Sequence, residues 1–357
     1  MQHGASGAID TSGQMKAGQP AAGFRRPTAP VTRPMLVFFA VLAAYPLWSG
    51  PVGLYDYLGV EIMIWIIYAL GYNLLLGYTG LPSFGHGAYF GIGAYAYGLT
   101  LTAAGGNLVL GLALAILLGA AAAGCVGLFL SHRRGIYFAL MTIAFGQVAW
   151  FIAIKWHSVT GGEDGLLDIT RPSMEIFGTA LGLQSNAALF YFVFALLVVV
   201  VVGLWRLVNT PYGLALQAIR MNETRARFVG YRVWGLKWSV FALSGAIAGL
   251  AGGLLAIAQE SAYPDVMSLH ASGFVVMIVL IGGGFVSFWG PVFGAIIFFG
   301  ARDILGAATE TWLLWYGLLF MAIMIFEPKG VVGAWRRILR TLDRRARPQA
   351  ARGEELS

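Results

Sequence analysis

The stretch NAALFYFVFALLVVVVVGLW, residues 186–205, carries no charge and matches the roughly 20 residues that a helix needs to cross a bilayer. Runs like it fill the chain, and nothing else in the sequence constrains the fold as strongly. In hydrocarbon a backbone must satisfy its own polar groups, so only helices or a closed barrel can span. A barrel calls for segments of about ten residues with alternating polarity, and these runs do not alternate. The 357 residues are 58% hydrophobic and 11% charged, with a mean hydropathy of +0.74, against roughly 25% charged in a soluble domain. The expected fold is an all-α polytopic membrane protein. Spans are expected at 35–50, 57–78, 83–104, 107–130, 136–156, 187–205, 238–259, 273–286, 291–307 and 310–327. That gives about ten transmembrane helices, or eight with re-entrant pieces, and a permease domain over 35–327.

Charge orients these spans. The net +7 is not spread as in a nucleic-acid binder, and no nucleic-acid partner is expected. Lys16, Arg25, Arg26 and Arg33 precede the first span, and His132, Arg133 and Arg134 fill one short loop. Arg206, Arg220, Arg225, Arg227, Arg232 and Lys237 sit in the loop 206–237 with one acid, Glu223, and a basic tail covers 328–357. The positive-inside rule makes these cytoplasmic, both termini included. The loops 157–186 and 260–272 are acidic, with Glu163, Asp164, Asp168, Glu175, Glu260 and Asp265, and belong outside. Residues 1–34 read as a disordered cytoplasmic tail rather than a cleaved leader, and the stretch 336–347 as an anchor to anionic lipid headgroups. Cys125, in an alanine-rich run, is expected to be a small buried hydrophobe.

Two stretches interrupt the pattern. TGLPSFGHGAYFGIGAY (79–95) holds five glycines, a proline and a histidine. LIGGGFVSFWGPVFGA (280–295) repeats a Ser-Phe pair followed by small residues. Broken or re-entrant segments are therefore expected near 79–90 and 282–291. Non-helical backbone at membrane depth survives only where protein or a water-filled cavity satisfies it, and paired interruptions point to a transport pathway. Ser83, Gly85, His86 and Ser287 are the candidate pathway residues. His86 is either a neutral ring bonded to a carbonyl freed at the break or a contact for solute or proton. A half-helix starting at Ser83–His86 would favour an anionic group such as a carboxylate. Elsewhere, Gly87 and Gly91, Gly245, Gly249 and Gly253, and Gly290 and Gly294 recur at four-residue spacing, the mark of close helix packing in lipid, with pore lining as the alternative. Glu61 and Lys155, near span ends, are expected to snorkel, and Arg302 and Asp303 to pair with each other or with neighbours.

No nucleotide-binding loop, catalytic set, metal cluster or cofactor motif stands out, so energy coupling to ATP has to come from another subunit. In the loop 206–237, Pro211 opens a short helix with an apolar side that Gly230 ends. An amphipathic helix there lies on lipid or docks into a partner.

That loop, with NLLLGYTGLPSFGHGAYFGIGAY (73–95), RRGIYFALMTIAFGQ (133–147), TGGEDGL (160–166) and FEPKGVVG (326–333), resembles the inner-membrane permeases of branched-chain amino acid ABC importers, LivM type. The resemblance implies a second, LivH-like permease, two cytoplasmic ATPase subunits (LivG-like and LivF-like) and a periplasmic substrate-binding protein. It places the coupling helix in 212–230, with Ala218, Arg220, Asn222, Glu223 and Gly230 at the motif positions. The chain departs from the family pattern at Met221, where an acid is usual, and at Val286, where a glycine is usual. Urea permeases are similar, so a urea or short-amide importer is the alternative. An ion-coupled secondary transporter or channel is the alternative class.

Overall fold

The computed structural model describes residues 33–46, 56–103, 107–167, 169–171, 173–176, 179–283, 287–327, 330–335 and 337. Most of the expected tails 1–34 and 328–357 lie outside them, as do Asp168 and Val286. Each of the ten apolar runs contains a helix. In chain order these are α1 (Arg33–Ala43), α2 (Asp56–Asn73), α3 (Gly87–Ala103), α4 (Leu108–Leu130), α5 (Gly135–Lys155), α6 (Asn186–Val208), α9 (Val233–Gln259), α10 (Leu269–Gly282), α11 (Gly290–Ala308) and α12 (Trp312–Phe326). Between α6 and α9 lie two short helices, α7 (Pro211–Met221) and α8 (Glu223–Phe228). Among the described residues six helices are long and apolar enough to cross a membrane: α2 with its continuation to Tyr78, α4, α5, α6, α9 and α11. The fold is an all-α polytopic membrane protein. One hairpin, β1 (Ser173–Ile176) and β2 (Thr179–Gly182), decorates the loop before α6. Helix α3 starts at Gly87 rather than at 83, because the break takes up the preceding residues.

Two helices form the centre. In the apolar spans of α2 and α9, 94% and 83% of residues are buried, against 28% to 33% in α4, α5, α6 and α11. Glycine spacing explains why α9 is central. A Cβ on Gly249 would lie 2.2 Å from the Ala115 carbonyl oxygen of α4, and one on Gly245 2.7 Å from that of Gly119. On the other side a Cβ on Gly252 would lie 1.8 Å from the Phe90 carbonyl oxygen of α3. The glycines thus let backbones touch, as the spacing predicts. A Cβ on Gly294 would likewise meet the Ile278 carbonyl at 1.9 Å, closing α11 on α10.

Two expectations change, and Arg302 has a neighbouring partner as expected. Cys125 is exposed, because it shares an outward face of α4 with Leu117, Leu118, Leu128 and Phe129. Glu61 does not snorkel: it is 9% exposed and binds Arg302 through two bonds of 2.9 and 2.7 Å. Arg302 is accordingly committed across helices, α11 to α2, with its guanidinium carbon 4.6 Å from the centre of the Phe299 ring.

The loops group by charge as expected. In the acidic pair, Leu166 and Ala262 exchange backbone bonds of 2.9 and 2.8 Å, and Arg171 meets Glu260 at 2.8 Å. In the basic pair, Arg134 meets Glu223 at 2.8 Å and Lys237 Nζ donates to the Arg133 carbonyl at 2.6 Å.

Candidate functional site: the broken helix and the segment beneath it

Helix α2 does not end in an ordinary cap. It widens into a π-turn, Leu74–Tyr78, and Gly80 then takes φ +75°, which removes the chain from the helix. Pro82 prevents its resumption. A buried helix end leaves carbonyls to satisfy, and each partner here can be named. Thr79 Oγ1 donates to Leu74 O at 2.9 Å, the Leu81 amide to Leu75 O at 2.9 Å and the Gly80 amide to Leu76 O at 3.2 Å. Gly77 O accepts from the guanidinium of Arg220, which reaches it from α7.

The amides on the far side of the break are also bonded. The Ser83 amide donates to Tyr72 Oη at 3.1 Å, Phe84 to Thr142 Oγ1 of α5 at 3.1 Å and Gly87 to Ser272 Oγ of α10 at 2.8 Å. The anion cradle expected at Ser83–His86 therefore has two of its amides, and the Gly87 amide next to it, committed to side chains. Gly85 makes the closest approach: its Cβ would sit 1.8 Å from the Thr142 carbonyl oxygen. Of the two structures that allow a break at this depth, a cavity or a buried bend, the conformation described is the bend.

His86 is fully buried, and its Nε2 lies 3.0 Å from Ser244 Oγ of α9. Ser244 spends its one proton on Gly71 O at 2.8 Å. Nε2 must then carry a proton, and Nδ1, buried with no acceptor in reach among the described residues, is the basic nitrogen of a neutral ring, an assignment drawn from the bonding network. The bond expected to a freed carbonyl is replaced by this hydroxyl. The ring stacks on Tyr68 with centroids 5.8 Å apart and is flanked by Tyr72, Tyr89 and Phe241. His86 Nδ1, Ser83 Oγ, Tyr68 Oη and both amide atoms of Asn73 are buried with no hydrogen-bond partner among the described residues. Ser244→Ala removes one partner from His86 and one from Gly71, and a thermal melt should show a loss of about 1–3 kcal/mol, the cost of stranding buried polar groups.

Ser287 lies apart from this set. Its hydrogen bonds stay within its own turn, from its amide to Gly283 O at 3.1 Å and from the Trp289 amide to its Oγ at 3.3 Å. The second interruption still copies the first in one respect: α10 ends on Gly283 at φ +83°, as α2 ends through Gly80. Residues 284–286 lie outside the described ones.

The five positions that the resemblance assigned to coupling divide by what they touch. Asn222 caps α8, accepting from the Arg225 amide at 2.9 Å, and Gly230, at φ +98°, turns the chain after it. Ala218 packs on a small core of Ile219, Ala226 and Val233. Glu223 faces inward, holding Arg134 at 2.8 Å, Arg227 at 3.2 Å and Lys237 at 3.6 Å. Arg220 is an exposed residue whose guanidinium reaches back to Gly77, and partial burial lowers its pKa from the ordinary value, though an arginine stays charged. Large apolar side chains face outward among the exposed Arg225, Arg227 and Arg232: Met221, Phe228 and Val229 are 84%, 87% and 73% exposed. Met221 and Val229 flank a groove of about 200 Å³. Sequence reasoning found the break. It missed Tyr72, Thr142, Ser244 and Ser272, whose signal was a hydroxyl in an otherwise apolar helix.

A family described as branched-chain amino acid transport system / permease component matches residues 54–327. The chain is 30% identical over 312 residues to the high-affinity branched-chain amino acid transport system permease protein LivM of Escherichia coli K12, covering 82% of this chain and 72% of that protein. The Salmonella typhimurium LivM is also 30% identical, over 81% of this chain and 72% of its own length. A probable LivH permease of Methanocaldococcus jannaschii is 26% identical over 78% of this chain and 91% of its own. No solved structure matches the chain.

Proposed function

Since the chain belongs to the branched-chain amino acid transport permease family, we propose that it is the multi-pass permease subunit of an ABC importer that carries branched-chain amino acids across the inner membrane. The family match over residues 54–327 carries this reading, because it takes in every helix from α2 to α12. The remaining subunits are a LivH-like second permease, LivG-like and LivF-like ATPases, and a periplasmic binding protein. ATP is hydrolysed by the ATPases and not by this chain.

On this reading the basic loops and both termini face the cytoplasm. The exposed Met221, Phe228 and Val229 around α7 and α8 receive the ATPases. The joined acidic loops 157–186 and 260–272 receive the binding protein. The solute path runs beside the broken segment, along Ser83, Gly85 and His86, with Ser287 contributed by the second interruption. The buried polar atoms of Ser83, His86, Tyr68 and Asn73 that lack a protein partner support this path. Such groups gain hydrogen bonds when water or a polar solute enters. Opening the path requires two packings whose populations ATP and the loaded binding protein shift.

The test is uptake in a host lacking this chain. Restoring it should restore ATP-dependent uptake of labelled leucine, isoleucine and valine, and His86→Ala should reduce that uptake. Restoration of urea uptake instead would favour the short-amide importer. Solute movement by the purified chain with an ion gradient and no ATPase would reject the ABC reading. Unchanged uptake and affinity in His86→Ala would remove His86 from the path.

A further inference from the structure

The coupling segment and the broken helix are joined directly, and we propose that Arg220 is the positioning residue that carries movement of α7 into the break of α2. This inference rests on the ABC-permease reading above. Three observations converge on it. The guanidinium of Arg220 donates to Gly77 O, a carbonyl at the end of the π-turn. The stem of the same side chain lies against Gly80, where a Cβ would sit 3.0 Å from Arg220 Cγ and 3.6 Å from its Cβ. Arg220 therefore both caps the widened end of α2 and fills the space beside the glycine that turns the chain away. Finally, α7 moves as part of a tied unit, since Glu223 binds Arg134 and Lys237 just beyond it.

The physical consequence follows from the helix end. A cation at a carbonyl terminus is held by both a hydrogen bond and the helix dipole. Gly77 is itself buried, so its carbonyl, once it loses the guanidinium, is left short of a partner. Displacing α7 therefore draws on Gly77 and presses on Gly80, and the break that begins there leads within six residues to His86. Arg220 stands in line between the surface that receives the ATPases and the segment that opens.

The experiment uses the whole importer in liposomes: this chain, its partner permease, both ATPases and leucine-loaded binding protein. It reads leucine delivered per ATP hydrolysed. In Arg220→Ala, hydrolysis should persist while this ratio falls by roughly tenfold, the scale on which single residues alter coupling. Arg220→Lys should recover part of the ratio, because one ammonium donor replaces a fork. A merely structural role would lower delivery and hydrolysis together and leave the ratio unchanged. A second variant works where Arg220→Ala does not assemble. The 3.6 Å between the two Cβ positions lies within the disulfide range of about 3.5–4.5 Å. In a Cys125→Ala background, Gly80→Cys with Arg220→Cys should cross-link. The oxidised importer should show a ratio near that of the same background with Gly80→Cys alone, which carries the strain of a side chain at φ +75°, and reduction should drop it about as far as Arg220→Ala drops the wild type. No cross-link, an inactive cross-linked importer, or a ratio indifferent to reduction overturns the proposal. Absence of ATP-dependent leucine uptake in the wild-type importer overturns the importer reading instead.

Discussion

Replacing Gly249 with alanine is expected to abolish the folded protein. The new methyl would lie 2.2 Å from the Ala115 carbonyl oxygen and 3.2 Å from Gly119 Cα. Both are backbone atoms of α4, so no rotamer change relieves the overlap. Nor can α9 back away, because α3 holds its other side, with a Cβ on Gly93 only 2.1 Å from Gly249 O. Ordinary overpacking costs about 1–3 kcal/mol. A clash between backbones clamped on both sides should exceed about 3 kcal/mol, a large part of a typical stability of about 5–15 kcal/mol. The yield of monodisperse protein in mild detergent and its melting temperature measure this. Gly203→Ala is the control: nothing lies within 4 Å of its Cβ position on α6, and losing a helical glycine there should be neutral or stabilising by up to about 1 kcal/mol. A Gly249→Ala protein that melts with the wild type would remove the close approach of α9 to α4 as the basis of the core.

The sequence shows that Gly245, Gly249 and Gly253 lie on one face, because a four-residue spacing is local. It does not show that this face meets α4 while Gly252 meets α3, since that depends on which helices become neighbours. The same division runs through the site. Gly80 and Pro82 announce a break, because each spoils a helix by its own backbone. The partners that make the break tolerable are Thr142, Ser244 and Ser272, each bonded to residues 58, 158 and 185 positions away. A serine in an apolar helix signals a hydrogen bond but not its recipient. Arg220 was legible as a coupling position through family resemblance, while its attachment to Gly77 depends on α7 folding back beneath α2. Glu61 was misread for a related reason. A carboxylate near a span end looks like an interfacial group until the guanidinium 241 positions later arrives beside it.

That pair gives the other large effect. Arg302 and Glu61 meet fork to fork at 2.9 and 2.7 Å, joining α11 to α2 at a site where Glu61 is 9% exposed. Arg302→Leu leaves the buried Glu61 carboxylate without its guanidinium and should cost about 3–5 kcal/mol, the range for breaking a buried pair. Glu61→Leu takes the bidentate carboxylate from Arg302, whose side chain is 30% exposed, and should cost less. The double change removes both charges and should lie close to the wild type, since apolar replacement of a whole buried pair is often neutral. Melting temperatures of the four proteins form a cycle that isolates the interaction. If the double variant loses the sum of the single losses, the two side chains do not interact as the geometry requires. The cycle also separates two kinds of link. The Glu61–Arg302 pair fixes where α2 stands, so its single variants should lower leucine delivery and ATP hydrolysis together, in proportion to folded protein. Arg220 governs how the break at the end of that same helix follows α7, so its variants should lower the ratio of the two.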